Sequence, residues 1–84
     1  MSAEDRAAMI RSMVASLDSK LAENPENLDG WIRLVRSYAV LGDRGAAEGA
    51  LQRADVAFPR ESDGGRRLAD LARELGLEPV LEGQ

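Results

Sequence analysis

The chain has 84 residues, a formal charge of −4, and neither cysteine nor histidine. The acidic balance argues against the nucleic-acid backbone as main partner, since such binders carry a basic stripe. With thiolate and imidazole both missing, the usual zinc and haem ligands and the commonest nucleophiles and bases are missing too, so no metal or cofactor is expected. No apolar run approaches the ~20 residues that span a bilayer, and the N-terminus lacks the basic-then-apolar layout of a signal peptide.

A hydrophobic share of 44% with only 4% aromatics predicts an aliphatic, alanine-rich core. Such a core suits closely packed helices better than a sheet, as do two isoleucines and no threonine. The first helix is predicted over residues 3 to 23, with Ser2 as its cap and Asp5 three residues on in a capping-box-like place. Ile10, Met13, Val14, Leu17 and Leu21 recur at i, i+3, i+4, i+7 and i+11, which makes one apolar face opposite a charged one. Met9 and Met13 are expected to fill core, with a partner-binding surface on this methionine-bearing helix as the alternative. Asn24-Pro25 then stops the helix, because the residue before proline is driven out of the helical region.

A second helix, 28 to 41, carries Trp31, Leu34, Val35, Tyr38 and Leu41 on one face. Gly42 suits the left-handed conformation that closes it, and Asp43 suits the cap of the next helix, 44 to 58. There Ala47, Ala50, Leu51 and Ala54 repeat the helical spacing with mostly small side chains, so the two backbones can approach closely. A fourth helix, 64 to 75, is capped by Ser62 or Asp63 and stopped by Gly76. Its other face, with Arg66, Arg67, Asp70, Arg73 and Glu74, is strongly charged.

Trp31, Leu34, Val35, Tyr38, Ala47, Leu51, Ala54 and Pro59 stand in the register of the tetratricopeptide repeat, W-x2-L-G-x2-Y then A-x3-F and P. Val35 replaces the glycine and Leu51 the phenylalanine. The 34-residue period of that repeat also relates Pro25 to Pro59, Leu17 to Leu51, Leu41 to Leu75 and Gly42 to Gly76. The expected fold is therefore all-α: antiparallel helix hairpins of tetratricopeptide type, with one full repeat flanked by two half-repeats. Residues 1–77 are expected to form a single domain and 78–84 a frayed tail. Gly65 stands where Trp31 stood one period earlier, so the last helix lacks the aromatic plug and is read as a polar end cap. Fewer than three repeats rarely suffice for stability, which points to a piece of a longer protein.

Residues 9 to 43 resemble the periplasmic repeat region of the CcmI/CycH family of cytochrome c biogenesis proteins. The features that carry this are Met13-Val14 with Leu17 and Leu21 ahead of Asn24-Pro25, then Gly30-Trp31, Arg36-Ser37-Tyr38 and Val40-Leu41-Gly42. The resemblance implies a binding module, not an enzyme, held at the periplasmic face of a bacterial membrane by helices outside these residues. It implies a chaperone that captures the C-terminal helical segment of apocytochrome c for the haem-ligation complex. A chaperone for a chain with reactive thiols also gains from lacking cysteine, since no mixed disulfide can trap it.

From the residues themselves, the binding surface is expected on the concave side lined by the first helix of each pair. Asp29, Arg33, Arg36 and Val40 share a face distinct from the packing stripe, with Ile32 at its edge. Arg66 and Arg67 follow Ile32 and Arg33 one period later. Guanidinium groups gathered there suit a partner's carboxylates, which they bind through two parallel hydrogen bonds, while Ile32 and Val40 receive apolar side chains. A solvated arginine face is the plain alternative. A generic repeat scaffold or co-chaperone is a rival function, although the lysine and asparagine of a carboxylate-clamp co-chaperone are missing from the groove helix. An enzyme using paired carboxylates, Glu23 with Glu26 or Asp63 with Asp70, is the distant rival, because these sit at loop entries or on a charged face. The half-repeat ends also make a monomer or weak homodimer the expected state.

Overall fold

The computed structural model describes residues 2–59 and 61–77, so the expected tail at 78–84 lies outside the described residues. Four helices follow one another: α1 (Ala3–Glu23), α2 (Leu28–Val40), α3 (Arg44–Ala57) and α4 (Asp63–Leu75). They form the antiparallel hairpins of a tetratricopeptide-type, all-α fold, and no strand occurs among the described residues.

Each start is set by a side-chain oxygen that accepts an otherwise orphaned amide. Ser2 accepts from the Asp5 amide, Asn27 from Gly30, Asp43 from Ala46 and Ser62 from Gly65, all at 3.0 to 3.1 Å. Each such cap contributes about 1 kcal/mol. The stops repeat as well. Gly42 and Gly76 adopt φ of 75° and 74°. The amide after each glycine reaches back to a carbonyl five residues earlier, Asp43 to Tyr38 at 3.0 Å and Leu77 to Ala72 at 2.7 Å. Asp43 at that place goes on to cap α3, whereas Leu77 turns inward and is buried.

The core is a single cluster drawn from all four helices, including Val14, Leu21, Trp31, Leu34, Val35, Leu51, Leu68 and Leu71, each at most 5% exposed. Gly30 serves this packing directly: a Cβ built there would meet Leu21 Cδ2 at 2.8 Å, so its absence lets α1 close on the start of α2. Gly64 does the same for the Phe58 ring at the start of α4, where a Cβ would meet Cδ1 at 2.6 Å.

The expectation that Met9 and Met13 fill core is overturned. They are 52% and 61% exposed. Helical spacing puts Met13 on the same face as Val14 and Leu17, but burial needs a neighbour, and among the described residues α1 packs on α2 and reaches α3 through the Asp18–Arg53 ion pair. Its remaining apolar flank is left open.

Trp31 holds the centre. It is 2% exposed, its indole N–H donates to the Pro25 carbonyl at 2.8 Å, and the Arg53 guanidinium of α3 lies 5.0 Å from its ring centroid. Removing a buried aromatic side chain costs about 3–5 kcal/mol, against roughly 4–13 kcal/mol for a domain of this size. Trp31→Ala is therefore expected to leave a largely unfolded chain. Wild-type helical circular dichroism and melting temperature in that variant would disprove the assignment.

Candidate functional site

The sequence places Asp29, Ile32, Arg33, Arg36 and Val40 on one face of α2, and all five line an open cleft of about 440 Å3. Its opposite wall is α1, which contributes Ile10 and Met13. These two are functional candidates that helical periodicity alone assigns to core. Met13 stands one 34-residue period before Ala47, which α3 buries against α2, and Ile10 one period before the exposed Arg44. Val40 is 72% exposed and Met13 61%, so the cleft presents apolar surface to solvent with Arg33 and Arg36 beside it.

Arg67 joins a neighbouring cleft between α2 and α4, of about 220 Å3, where it stands with Ile32, Arg36, Asp70, Leu71 and Glu74. Ile32 and Arg36 are thus shared by both clefts. Arg66 is exposed and lines neither of the two. Arg36 is already engaged: its Nη2 lies 2.7 Å from Glu74 Oε2, with each side chain about half exposed. An ion pair so open to water contributes only ~0–1 kcal/mol. Arg33 and Arg67 make no ion pair among the described residues. The carboxylates considered for catalysis, Glu23, Glu26, Asp63 and Asp70, are all exposed. Asp70 is paired to Arg73 at 3.3 Å, and among the described residues no cluster of three or more potential metal ligands occurs.

A capped pair of antiparallel helices flanked by one helix on each side, with an apolar and basic cleft on its surface, defines a helical-repeat module. The chain is 55% identical, over all of its 84 residues, to the cytochrome c-type biogenesis protein CycH of Rhizobium meliloti (strain 1021). It is 42% identical over 78 residues, 93% of its length, to the protein of the same name from Bradyrhizobium diazoefficiens. The family resemblance carried by residues 9–43 therefore extends along the whole chain, which is homologous to one segment of the CycH proteins. That segment is 22% and 21% of the two relatives. No family model matches the chain, and no solved structure does.

On the side of α2 away from the cleft, Arg53 links three helices. Besides covering Trp31, it pairs with Asp18 of α1 at 2.8 Å, and Asp18 Oδ2 in turn receives a long contact of 3.5 Å from the Tyr38 hydroxyl. Burial, and then the charge and hydrogen bonding of Asp18, push the Tyr38 phenol above its ordinary value, with Arg53 opposing. The neutral phenol is the form the fold favours. Its contribution is fully present below the ordinary tyrosine value of about 10 and is lost as pH rises through the raised value. The melting temperature is thus expected to fall more steeply above pH ~10 in the wild type than in Tyr38→Phe. Parallel pH profiles for the two proteins would show that this hydroxyl carries no linkage.

Proposed function

We propose that this chain is a protein-interaction module that takes an amphipathic helix of a partner protein, in the service of cytochrome c maturation. The observation that carries the reading is the cleft on α2, where Ile32 and Val40 offer apolar contact beside Arg33 and Arg36. Asp29 stands at the same cleft, and Arg67 extends the basic character toward α4. A helix laid into such a groove buries its apolar stripe, while carboxylates on its flank meet the guanidinium forks. The names of the relatives supply the process, and the family resemblance supplies the partner: the C-terminal helical segment of apocytochrome c, delivered to the haem-ligation complex. A periplasmic setting follows from that partner. Among the described residues no helix is long and apolar enough to cross a membrane.

Titration with a synthetic peptide of an apocytochrome c C-terminal helix, compared with a chaperone tail peptide, tests the proposal. Binding of the first and not the second is expected, weakening as salt rises. Replacing both Arg33 and Arg36 by Glu is expected to reduce affinity at least tenfold, about 1.4 kcal/mol. The melting temperature should fall only slightly, since both arginines are exposed and the Arg36–Glu74 pair that is lost is open to water. Unaltered affinity in the double variant would overturn the assignment of the site.

A further inference from the structure

The 34-residue period matches Arg36 of α2 to Asp70 of α4, and Val40 to Glu74. Where α2 is basic or apolar, α4 is therefore acidic. Asp70 and Glu74 are four residues apart on one face of α4, and both line the cleft that separates α4 from Ile32 and Arg36. Asp70 finds its cation on its own helix, Arg73 at 3.3 Å. Glu74 has no basic residue at helical spacing: Asp70 and Leu71 stand four and three residues before it, Leu77 and Glu78 three and four after. Its carboxylate reaches across the cleft instead, and Oε2 meets Arg36 Nη2 at 2.7 Å.

That pair does little to hold α4 in place. Leu68, Leu71, Ala72 and Leu77 are all buried and carry the docking of this helix, whereas Arg36 and Glu74 are each about half exposed. The pair does alter the binding face. Arg33 and Arg36 both line the α1–α2 cleft. Arg33 has no ion pair among the described residues, so a carboxylate arriving there displaces only water. At Arg36 an arriving carboxylate exchanges with one already present, and two such exposed pairs differ little in energy. The two guanidinium groups of one face thus meet a partner in different states.

We infer that Glu74 is an internal ligand of Arg36, a carboxylate that α4 holds against the binding face and that mutes this arginine's part in selecting an acidic partner. The inference rests on the reading above and adds what sets the site's selectivity. An acidic flank gains its ion pair chiefly at Arg33. A neutral flank that covers Arg36 strips water from its guanidinium, and a cation so desolvated without a counter-charge is costly. Glu74 supplies that counter-charge. With Glu74 present, acidic and neutral helices are therefore accepted on closer terms, and without it the face discriminates more sharply. Glu74 is a specificity-determining residue that acts through Arg36 and need not touch the partner.

The probes are the apocytochrome c C-terminal peptide and the same peptide with every Asp and Glu replaced by its amide. Each is titrated against the wild type, Glu74→Gln, Arg36→Gln and the variant with both changes. Glu74→Gln is expected to bind the acidic peptide about two- to fivefold more tightly, the range that an exposed ion pair contributes. The neutral peptide should gain nothing from that change. In the Arg36→Gln background, Glu74→Gln is expected to leave the affinity for the acidic peptide unchanged, since no guanidinium remains to be released. Added salt should weaken the acidic peptide's complex more steeply with Glu74→Gln than with the wild type. Equal affinity of the wild type and Glu74→Gln for the acidic peptide would overturn the inference. A gain that persists in the Arg36→Gln background, or that extends to the neutral peptide, would overturn it too, because removal of one negative charge or a local repacking then accounts for the effect. Each of these results leaves helix binding intact. Binding of neither peptide by the wild type would instead defeat the reading on which the inference rests, and the inference with it.

Discussion

Everything in this small molecule depends on burying one indole. Trp31 is the largest fully buried side chain, and its contacts come from three segments: the Pro25 carbonyl in the α1–α2 connection, the Arg53 guanidinium of α3, and the surrounding core. The N–H would carry a desolvation cost of roughly 1–3 kcal/mol if left unpaired in the interior, and the Pro25 carbonyl removes that cost. Arg53 then reaches on to Asp18, so the tryptophan, its cation and a carboxylate of α1 tie three helices together. Among the described residues no buried side-chain polar atom lacks a hydrogen bond, which is what a core with so few polar members requires.

The second constraint is the size of side chains across facing helices. Alanines at 47, 50 and 54 let α3 approach α2 closely enough to enclose Trp31 and Leu34, and these two helices share the most extensive contact in the molecule. The same 34-residue positions on α1 hold methionine, serine and lysine. That flank of α1 is consequently both larger and more polar than the packed one, and it remains open to solvent. An exposed apolar flank with a cationic margin is a poor feature for an isolated domain and a serviceable one for a receptor.

Charge is distributed in keeping with this division. The chain is acidic overall, yet Lys20, Arg33 and Arg36 gather around the α1–α2 openings, where Asp29 is the acidic residue of the lining. Arg36 is held at its far side by Glu74, a half-exposed pair that fixes the guanidinium without burying it. Local sign, not net charge, governs which partner flank such a surface accepts, because screening limits charge effects to about 8 Å at physiological salt.

Helix limits to within a residue, three of the four caps and the stops were legible from residues alone because each depends on local chemistry, while the Asn27 cap of α2 was not read. Ser2, Asp43 and Ser62 accept amides three residues on, Gly42 and Gly76 supply left-handed stops, and Pro25 blocks continuation. The core of α2 and α3 was legible because its spacing is helical and its residues match the repeat. The grouping of Asp29, Ile32, Arg33, Arg36 and Val40 on one face follows from the same 3.6-residue geometry. What opposes that face does not, since a helical stripe says which residues share a side and nothing about which side is covered. Only tertiary packing decided that Met13 is exposed while its counterpart Ala47 is buried, that Ile10 and Met13 form the second wall of the cleft, and that Arg36 is engaged by Glu74 while Arg66 lies apart. Those outcomes depend on which helix occupies the space beside each stripe, a relation between distant parts of the chain that periodicity within one helix does not encode.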